Sequence, residues 1–356
     1  MLKCKPLILI IFSCILLLGV ALAQSEEIVI GVAYPANMDT QTHFIQGVTL
    51  AQDKINDEGG LLGRELKLLI KDDQNDATIA RQIAQSFVDA GVQAVIGHWS
   101  SNVCAVVEDT YESNHVIMLT PAATSMSLLK PAQQFIFRLI PNNLLNAKTL
   151  AQAFKAAGYE NIAIYFSDDV YGVTFSQTIE NALHELGIHV IDRVNMLSPA
   201  TMETVFDRWQ AFGCDGVAIA ATMPEAAEAI GFIRSLPVAY PIFGADNFAR
   251  SSLSDSLDGD LDNIFYVSHD LEKIDSAFIA AFKKAYNAEP DVFAIAGYQS
   301  VMLLCDAMRA GEKTDAASIA AYFAALTGYE SITGPLTFDA SSREFSEHSL
   351  IVRPAK

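Results

Sequence analysis

Five short apolar runs in this chain end in residues able to hold a small charged molecule. Val95 to His98 leads into Trp99-Ser100-Ser101, and Val116 to Leu119 leads into Pro121-Ala122-Ala123-Thr124. Later, Ile162 to Phe166 runs into Asp168-Asp169-Val170-Tyr171, Val217 to Ala221 into Thr222-Met223, and Pro241 to Phe243 stops just before Asp246. Hydroxyls and the free N–H groups of a helix start donate to a carboxylate. An acid such as Asp246 faces an ammonium, and Trp99, Tyr171 and Met223 can wall an apolar side chain. Together these groups complement an α-amino acid. Each also has a plainer reading: Ser100 or Ser101 as a helix cap, Thr124 as the cap of a short helix. Asp246 could equally be a solvated loop acid, Tyr171 a surface aromatic and Trp99 a core residue. What gives the set weight is its recurrence after strands, because open parallel sheets bind ligands at their carboxyl ends.

Signatures of catalysis are absent from the usual places. The first strand leads into Tyr34-Pro35-Ala36-Asn37 rather than a Gly-x-Gly-x-x-Gly turn, so a dinucleotide would lack its phosphate cradle. There is no Walker loop and no Gly-x-Ser-x-Gly elbow. The seven histidines are scattered, and no His, Cys and carboxylate set has metal-ligand spacing. His98 closes a strand and could act as a base, but a packing or hydrogen-bonding role is the commoner use of such a residue. No catalytic residue, metal or cofactor is expected.

The elements that must position these residues alternate. Ile28 to Ala33 reads as a strand buried on both faces. Phe44, Val48, Ala51 and Ile55 fall on one face of a helix that stops at Gly59-Gly60. Strand Leu66 to Ile70, a helix bearing Ile79, Ile83 and Phe87, strand Val95 to Gly97, helix Ser101 to Ser113 and strand Val116 to Leu119 follow. After Pro141 the series restarts with a helix around Leu150 and Phe154, and strands at 162–166, 189–191, 217–221 and 241–243 alternate with helices. Beyond Asp270 the chain is mostly helical, closing on short β-like pieces at 336–338 and 350–352. Strand–helix–strand repetition means right-handed βαβ units and parallel sheets. The fold class is therefore α/β, two doubly wound lobes with no low-complexity linker between them.

Size and charge agree with that picture. A chain of 356 residues exceeds one ordinary core. Lys3 and Lys5, the apolar run Leu7 to Leu22 and the small-x-small Ala21-Leu22-Ala23 read as a cleavable secretory signal over residues 1–23, implying export. Cys14 sits in a poor lipobox. A net charge of −19 repels phosphate backbones and anionic bilayers, which argues against nucleic acid as a partner. Cys104, Cys214 and Cys305 lie in apolar stretches and are expected as buried thiols rather than a bridge plus one.

Several stretches carry a family likeness: Ile30-Gly31-Val32, Asn56-Asp57-Glu58-Gly59-Gly60-Leu61-Leu62-Gly63, Asp72-Asp73, Val95-Ile96-Gly97-His98, Thr120-Pro121-Ala122-Ala123-Thr124, Tyr171-Gly172 and Gly334-Pro335-Leu336. By them the chain resembles type I periplasmic binding proteins, nearest the leucine/isoleucine/valine-binding branch. The resemblance implies two lobes joined by three hinge crossings, 24–142 plus 270–336 forming one lobe and 143–269 plus 337–356 the other. It implies a periplasmic monomer that hands a small amino acid to the membrane permease of an ABC importer. By position, Ser101 would meet the ligand carboxylate, Thr124 both carboxylate and ammonium, the Ala122 carbonyl the ammonium, and Asp246 would neutralise it, with Tyr171 lying along the cleft. Ser100, Ala123, Thr222 and Met223 complete the expected lining.

Departures from the family pattern bear on the ligand. Asp246 stands where the family commonly has Glu, Thr222-Met223 where aromatic residues are frequent, and Trp99 where an aliphatic residue is usual; the Tyr34 to Gly47 segment is a few residues short. Trp99 and Met223 predict a pocket for a small or medium apolar side chain that rejects charged ones. The same resemblance is compatible with a ligand sensor, or with a binder of amides, ureas or carboxylic acids; an enzyme is the remaining class.

Overall fold

Seven residues, Ile28–Tyr34, form β1, and its side chains are buried on both faces, as a central parallel strand requires. The computed structural model describes residues 27–36, 42–249, 251–340, 343–346 and 350–355, so the expected leader at 1–23 lies outside the described residues. Parallel to β1 run β2 (Leu66–Asp72) and β3 (Ala94–Ile96), then β4 (Ile117–Thr120) beside β3 and β5 (Ile136–Arg138) beside β4. A second sheet holds β6 (Asn161–Phe166), β7 (His189–Val194), β8 (Gly216–Ala220), β9 (Ile242–Gly244) and β10 (Ile264–His269), all parallel.

The two sheets share one winding. The first reads 2-1-3-4-5 through β2, β1, β3, β4 and β5, and the second repeats it as β7, β6, β8, β9 and β10. Each therefore has a topological switch point, between β1 and β3 and between β6 and β8, and a crevice opens at the carboxyl ends there.

The end of the chain departs from expectation. Residues 337–346 were expected in the second lobe, but β11 (Tyr329–Ser331), β12 (Gly334–Asp339) and β13 (Glu344–Ser346) extend the first sheet, β13 pairing with β5 through Glu344 and Arg138. Only β14 (Leu350–Pro354) joins the second sheet, antiparallel to β10. The reason is local: Leu336, Phe338 and Phe345 point into the apolar layer beneath the first sheet with Phe137 and Phe323. The chain thus passes between sheets three times, after β5, after β10 and after β13.

Helices cover both faces of each sheet. On the first, α1 (Phe44–Asp57) packs one face with the late helices, and α2 (Ala77–Asp89) and α3 (Ser101–Ser113) pack the other. In the second, α4 (Asn143–Ala157) and α5 (Val170–Glu185) lie opposite α6 (Met202–Ala211) and α7 (Glu225–Arg234). Short α8 (Ser251–Ser256) precedes β10, and α9 (Ser276–Tyr286), α10 (Val292–Gly311) and α11 (Ala316–Ala324) return to the first sheet. Contact between α1 and α10 is unusually close: a Cβ on Gly47 would fall 2.1 Å from the Ala294 carbonyl oxygen, and one on Gly297 would fall 2.6 Å from that of Phe44. Two glycines let these backbones touch, which brings Phe293, on the first turn of α10, against Trp99. No helix among the described residues is long and apolar enough to cross a membrane.

The three cysteines among the described residues are free; Cys104 and Cys305 are buried, whereas Cys214 is only half-buried.

Candidate functional site

A cavity of about 240 Å³ lies between the carboxyl ends of the two sheets. From the first lobe it is lined by Asn75, Trp99, Ser100, Ser101, Asn102, Ala122, Thr124 and Phe293, and from the second by Asp169, Tyr171, Thr222, Met223, Pro224, Glu225, Asp246 and Asn247. Nine of the ten expected residues are among them. Ala123 is the exception: its methyl group packs into the layer beneath α2 and α3, and its N–H donates to Thr120 Oγ1 at 3.1 Å. Neighbouring residues of a tight turn point to opposite sides, so Ala122 and Thr124 face the cavity and Ala123 cannot.

Donors gather at the start of α3. Ser100 caps that helix, its Oγ accepting from the Val103 N–H at 3.3 Å, so its plainer reading holds alongside its place in the lining. Ser101 is buried, and its Oγ accepts the Ser125 N–H at 3.2 Å. A hydroxyl whose oxygen already accepts from the backbone still has its proton to donate. Together with the helix N-terminus, that proton makes a site for an anion.

Asp246 opens a short 3-10 turn after β9 and faces the cavity from the other lobe. Beside it, Asn247 donates through Nδ2 to the Ala221 carbonyl at 2.7 Å. Since a carbonyl only accepts, this bond fixes the amide's orientation. It leaves Oδ1, which is buried and has no protein partner, as an acceptor. Among the described residues, no Lys, Arg or His lines the cavity. Negative and acceptor groups therefore collect on the second lobe, opposite donors on the first.

The apolar walls are also core. Trp99 packs edge-on to Phe44 with centroids 5.2 Å apart and lies 4.8 Å from Phe293, while Tyr171 lies 5.4 Å from Phe175. Rings clamped on their outer faces present rigid inner faces.

Polar contacts span the lobes beside the cavity. Asn102 donates to Asp169 Oδ2 at 3.2 Å and accepts the Val170 N–H at 3.1 Å, while the hydroxyls of Ser125 and Thr174 meet at 3.1 Å. Asp169 also caps α5 through the Gly172 N–H at 2.7 Å. Its charge is thereby committed, and Asp168, next to it, does not line the cavity. Glu225 does: it is the first residue of α7, exposed, and it puts a second acid beside a pocket expected to reject charged side chains.

Sequence reasoning missed Asn75, Asn102, Asn247, Pro224, Glu225 and Phe293. The first three sit within two residues of features already singled out, so the strand-end rule would have reached them if widened by one turn. Phe293 comes from a helix some 170 residues past β4, and nothing local marks it.

Comparisons with known proteins agree with this fold. A family model described as periplasmic binding protein matches residues 27–355. The chain is similar to the leucine-, isoleucine-, valine-, threonine- and alanine-binding protein of Pseudomonas aeruginosa, 26% identical over 82% of this chain and 80% of that one. Against the Leu/Ile/Val-binding protein of Escherichia coli it is 24% identical over 92% and 90%. An ABC transporter substrate-binding protein from Desulfitobacterium hafniense, solved in complex with Leu, superposes with a TM-score of 0.83 at 31% identity, covering 93% of this chain and 98% of that chain.

Proposed function

Because the chain belongs to the periplasmic binding proteins, we propose that its cleft captures an α-amino acid and that the closed form delivers it to the membrane permease of an ABC importer. It acts as a binder, without catalysis, outside the cytoplasmic membrane, and its partners are the amino acid and the permease. The observation that carries this reading is the division of charge in the cavity: donors at the α3 start on one lobe, Asp246 and the Asn247 oxygen on the other. A zwitterion fits with both ends met and nothing left over.

Residue by residue, Ser101 and the N–H groups at the α3 start hold the carboxylate, with Thr124 beside them. Asp246 and Asn247 Oδ1, with the Ala122 carbonyl, take the ammonium. Tyr171, Trp99, Thr222 and Met223 surround the side chain, and Ser100 closes the floor. Leucine, valine, threonine and alanine are the first ligands to test, being those the named relatives are reported to bind. The test is a thermal-shift screen over all common amino acids, followed by titration calorimetry. A ligand at a hundredfold excess over its Kd adds about 2.7 kcal/mol to the native state, an easily seen rise in Tm. No shift with any amino acid would overturn the assignment and point to amides, ureas or carboxylic acids instead.

A further inference from the structure

His98 sits behind the cavity, fully buried, and lines none of it. Its ring is held at both nitrogens: Nδ1 lies 2.6 Å from Asp73 Oδ2 and Nε2 lies 3.0 Å from the Tyr111 hydroxyl. Burial raises the Tyr111 phenol well above its ordinary value, so it stays protonated and can donate to Nε2, leaving the Nδ1–H for the Asp73 carboxylate.

From this ring the structure reaches three loops. Asp73 accepts through its other oxygen from the Asn75 N–H at 3.0 Å, and Ser100 donates to Asn75 Oδ1, so the loop after β2 is closed onto the loop after β3. The His98 carbonyl accepts from Thr120 Oγ1 at 2.9 Å and from the Cys104 thiol at 3.3 Å. Thr120 Oγ1 in turn accepts the Ala123 N–H at 3.1 Å, which sets the turn carrying Ala122 and Thr124. Gly97 lets β3 deliver His98 to this spot: its φ is +142°, and a Cβ there would lie 2.4 Å from the Ala33 carbonyl oxygen.

We propose that His98, locked by Asp73, is a positioning residue that ties the loops after β2, β3 and β4 into one rigid anion-holding floor, and so sets affinity for the ligand's carboxylate without touching it. The proposal rests on the amino-acid reading above and adds a selectivity signature to it. A floor that grips only the carboxylate is blind to the side chain. Loosening it should therefore weaken every α-amino acid by the same factor.

The experiment compares wild type with His98→Gln and Asp73→Asn, using leucine, valine, threonine and alanine as probes in calorimetry, with native amide hydrogen exchange on each ligand-free protein. Both variants should bind every probe at least tenfold more weakly, with the ratios among probes preserved, and exchange at Asn75, Ala123 and Ser125 should quicken together. A purely structural role would lower Tm while leaving folded-state affinity unchanged, and that result would overturn the proposal. Uneven losses among the probes, or faster exchange confined to one loop, would overturn it as well. If a variant fails to fold, the milder Tyr111→Phe, which removes only the bond to Nε2, must give the same uniform loss and the same three-loop quickening on a smaller scale, or the proposal falls. Exchange needs no ligand, so coupled quickening in a protein that binds none of the probes would indict the amino-acid reading and spare the coupled floor.

Discussion

Asn102, on the first lobe, grips both the side chain and the backbone of the helix start that Asp169 caps on the second, donating to Asp169 Oδ2 at 3.2 Å and accepting the Val170 N–H at 3.1 Å. Both bonds agree with a single orientation of the amide. They join the lobes to each other directly, beside the cavity.

Asn102→Ala should therefore weaken binding without altering preference. Net hydrogen bonds contribute about 0.5–1.5 kcal/mol each, so the loss should be roughly tenfold, and it should come from faster release. Stopped-flow dissociation rates check this; an unchanged release rate would mean the contact forms only as a consequence of closure.

Asp246→Ala should be the most damaging single change in the cleft. It leaves a desolvated ammonium with neutral acceptors alone, Asn247 Oδ1 and the Ala122 carbonyl, and removal of one partner of a buried charge pair costs about 3–5 kcal/mol. Calorimetry giving a Kd within threefold of wild type would make Asp246 a bystander. Asp246→Glu should retain more affinity than Asp246→Ala, since it keeps the charge.

Glu344→Gln should destabilise the fold through a pair that does not itself line the cavity. Arg138 is fully buried, donating to the Ser125 carbonyl at 2.7 Å and to Glu344, and Glu344 also accepts from Asn142 at the start of α4. Burial pulls the Arg138 guanidinium below its ordinary value while Glu344 opposes that. Removing the carboxylate strands the cation, for about 3–5 kcal/mol in urea unfolding. A loss under 1 kcal/mol would show that water replaces the carboxylate.

The thiols should be inert near neutrality. Burial pushes Cys104 and Cys305 up to about 12 and Cys214 to about 11, so none presents appreciable thiolate at pH 8. Half-buried Cys214 should be the first to react with a thiol reagent as pH rises. An unfolded thiol releases its proton near the ordinary value of 9.0, below the folded ones. Above about pH 9 the unfolded state then binds fewer protons, and stability falls as pH rises. Rapid labelling of Cys104 at pH 8 in native protein would contradict this.

Much of this was legible because burial on two faces leaves a plain mark. Runs such as Ile28 to Ala33 and Val217 to Ala221 are unbroken by charge, so strands, winding and strand-end residues could be read directly. The missed strands lack that mark. In β5 a three-residue strand ends on Arg138, whose charge is answered by Glu344, 206 residues away. β10 mixes Ser268 and His269 into its apolar run, and β13 is short and polar at both ends. Side-chain direction within a turn, which removed Ala123 from the lining, is likewise set by backbone geometry that residue types do not encode.

The three passages between sheets have a mechanical consequence. One strand of chain between two bodies permits twist, tilt and slide; three passages, with β13 tied to β5 and to the start of α4 where Glu344 reaches Arg138 and Asn142, should act as a book's spine and favour a single angle. Spin-label distances from two pairs placed across the cleft should then trace one curve as ligand is added, and pairs that move independently would refute it. If one angle is all that varies, every bound solute is shown to the outside in the same form: a shut book, with the word inside chosen before anything reads the cover.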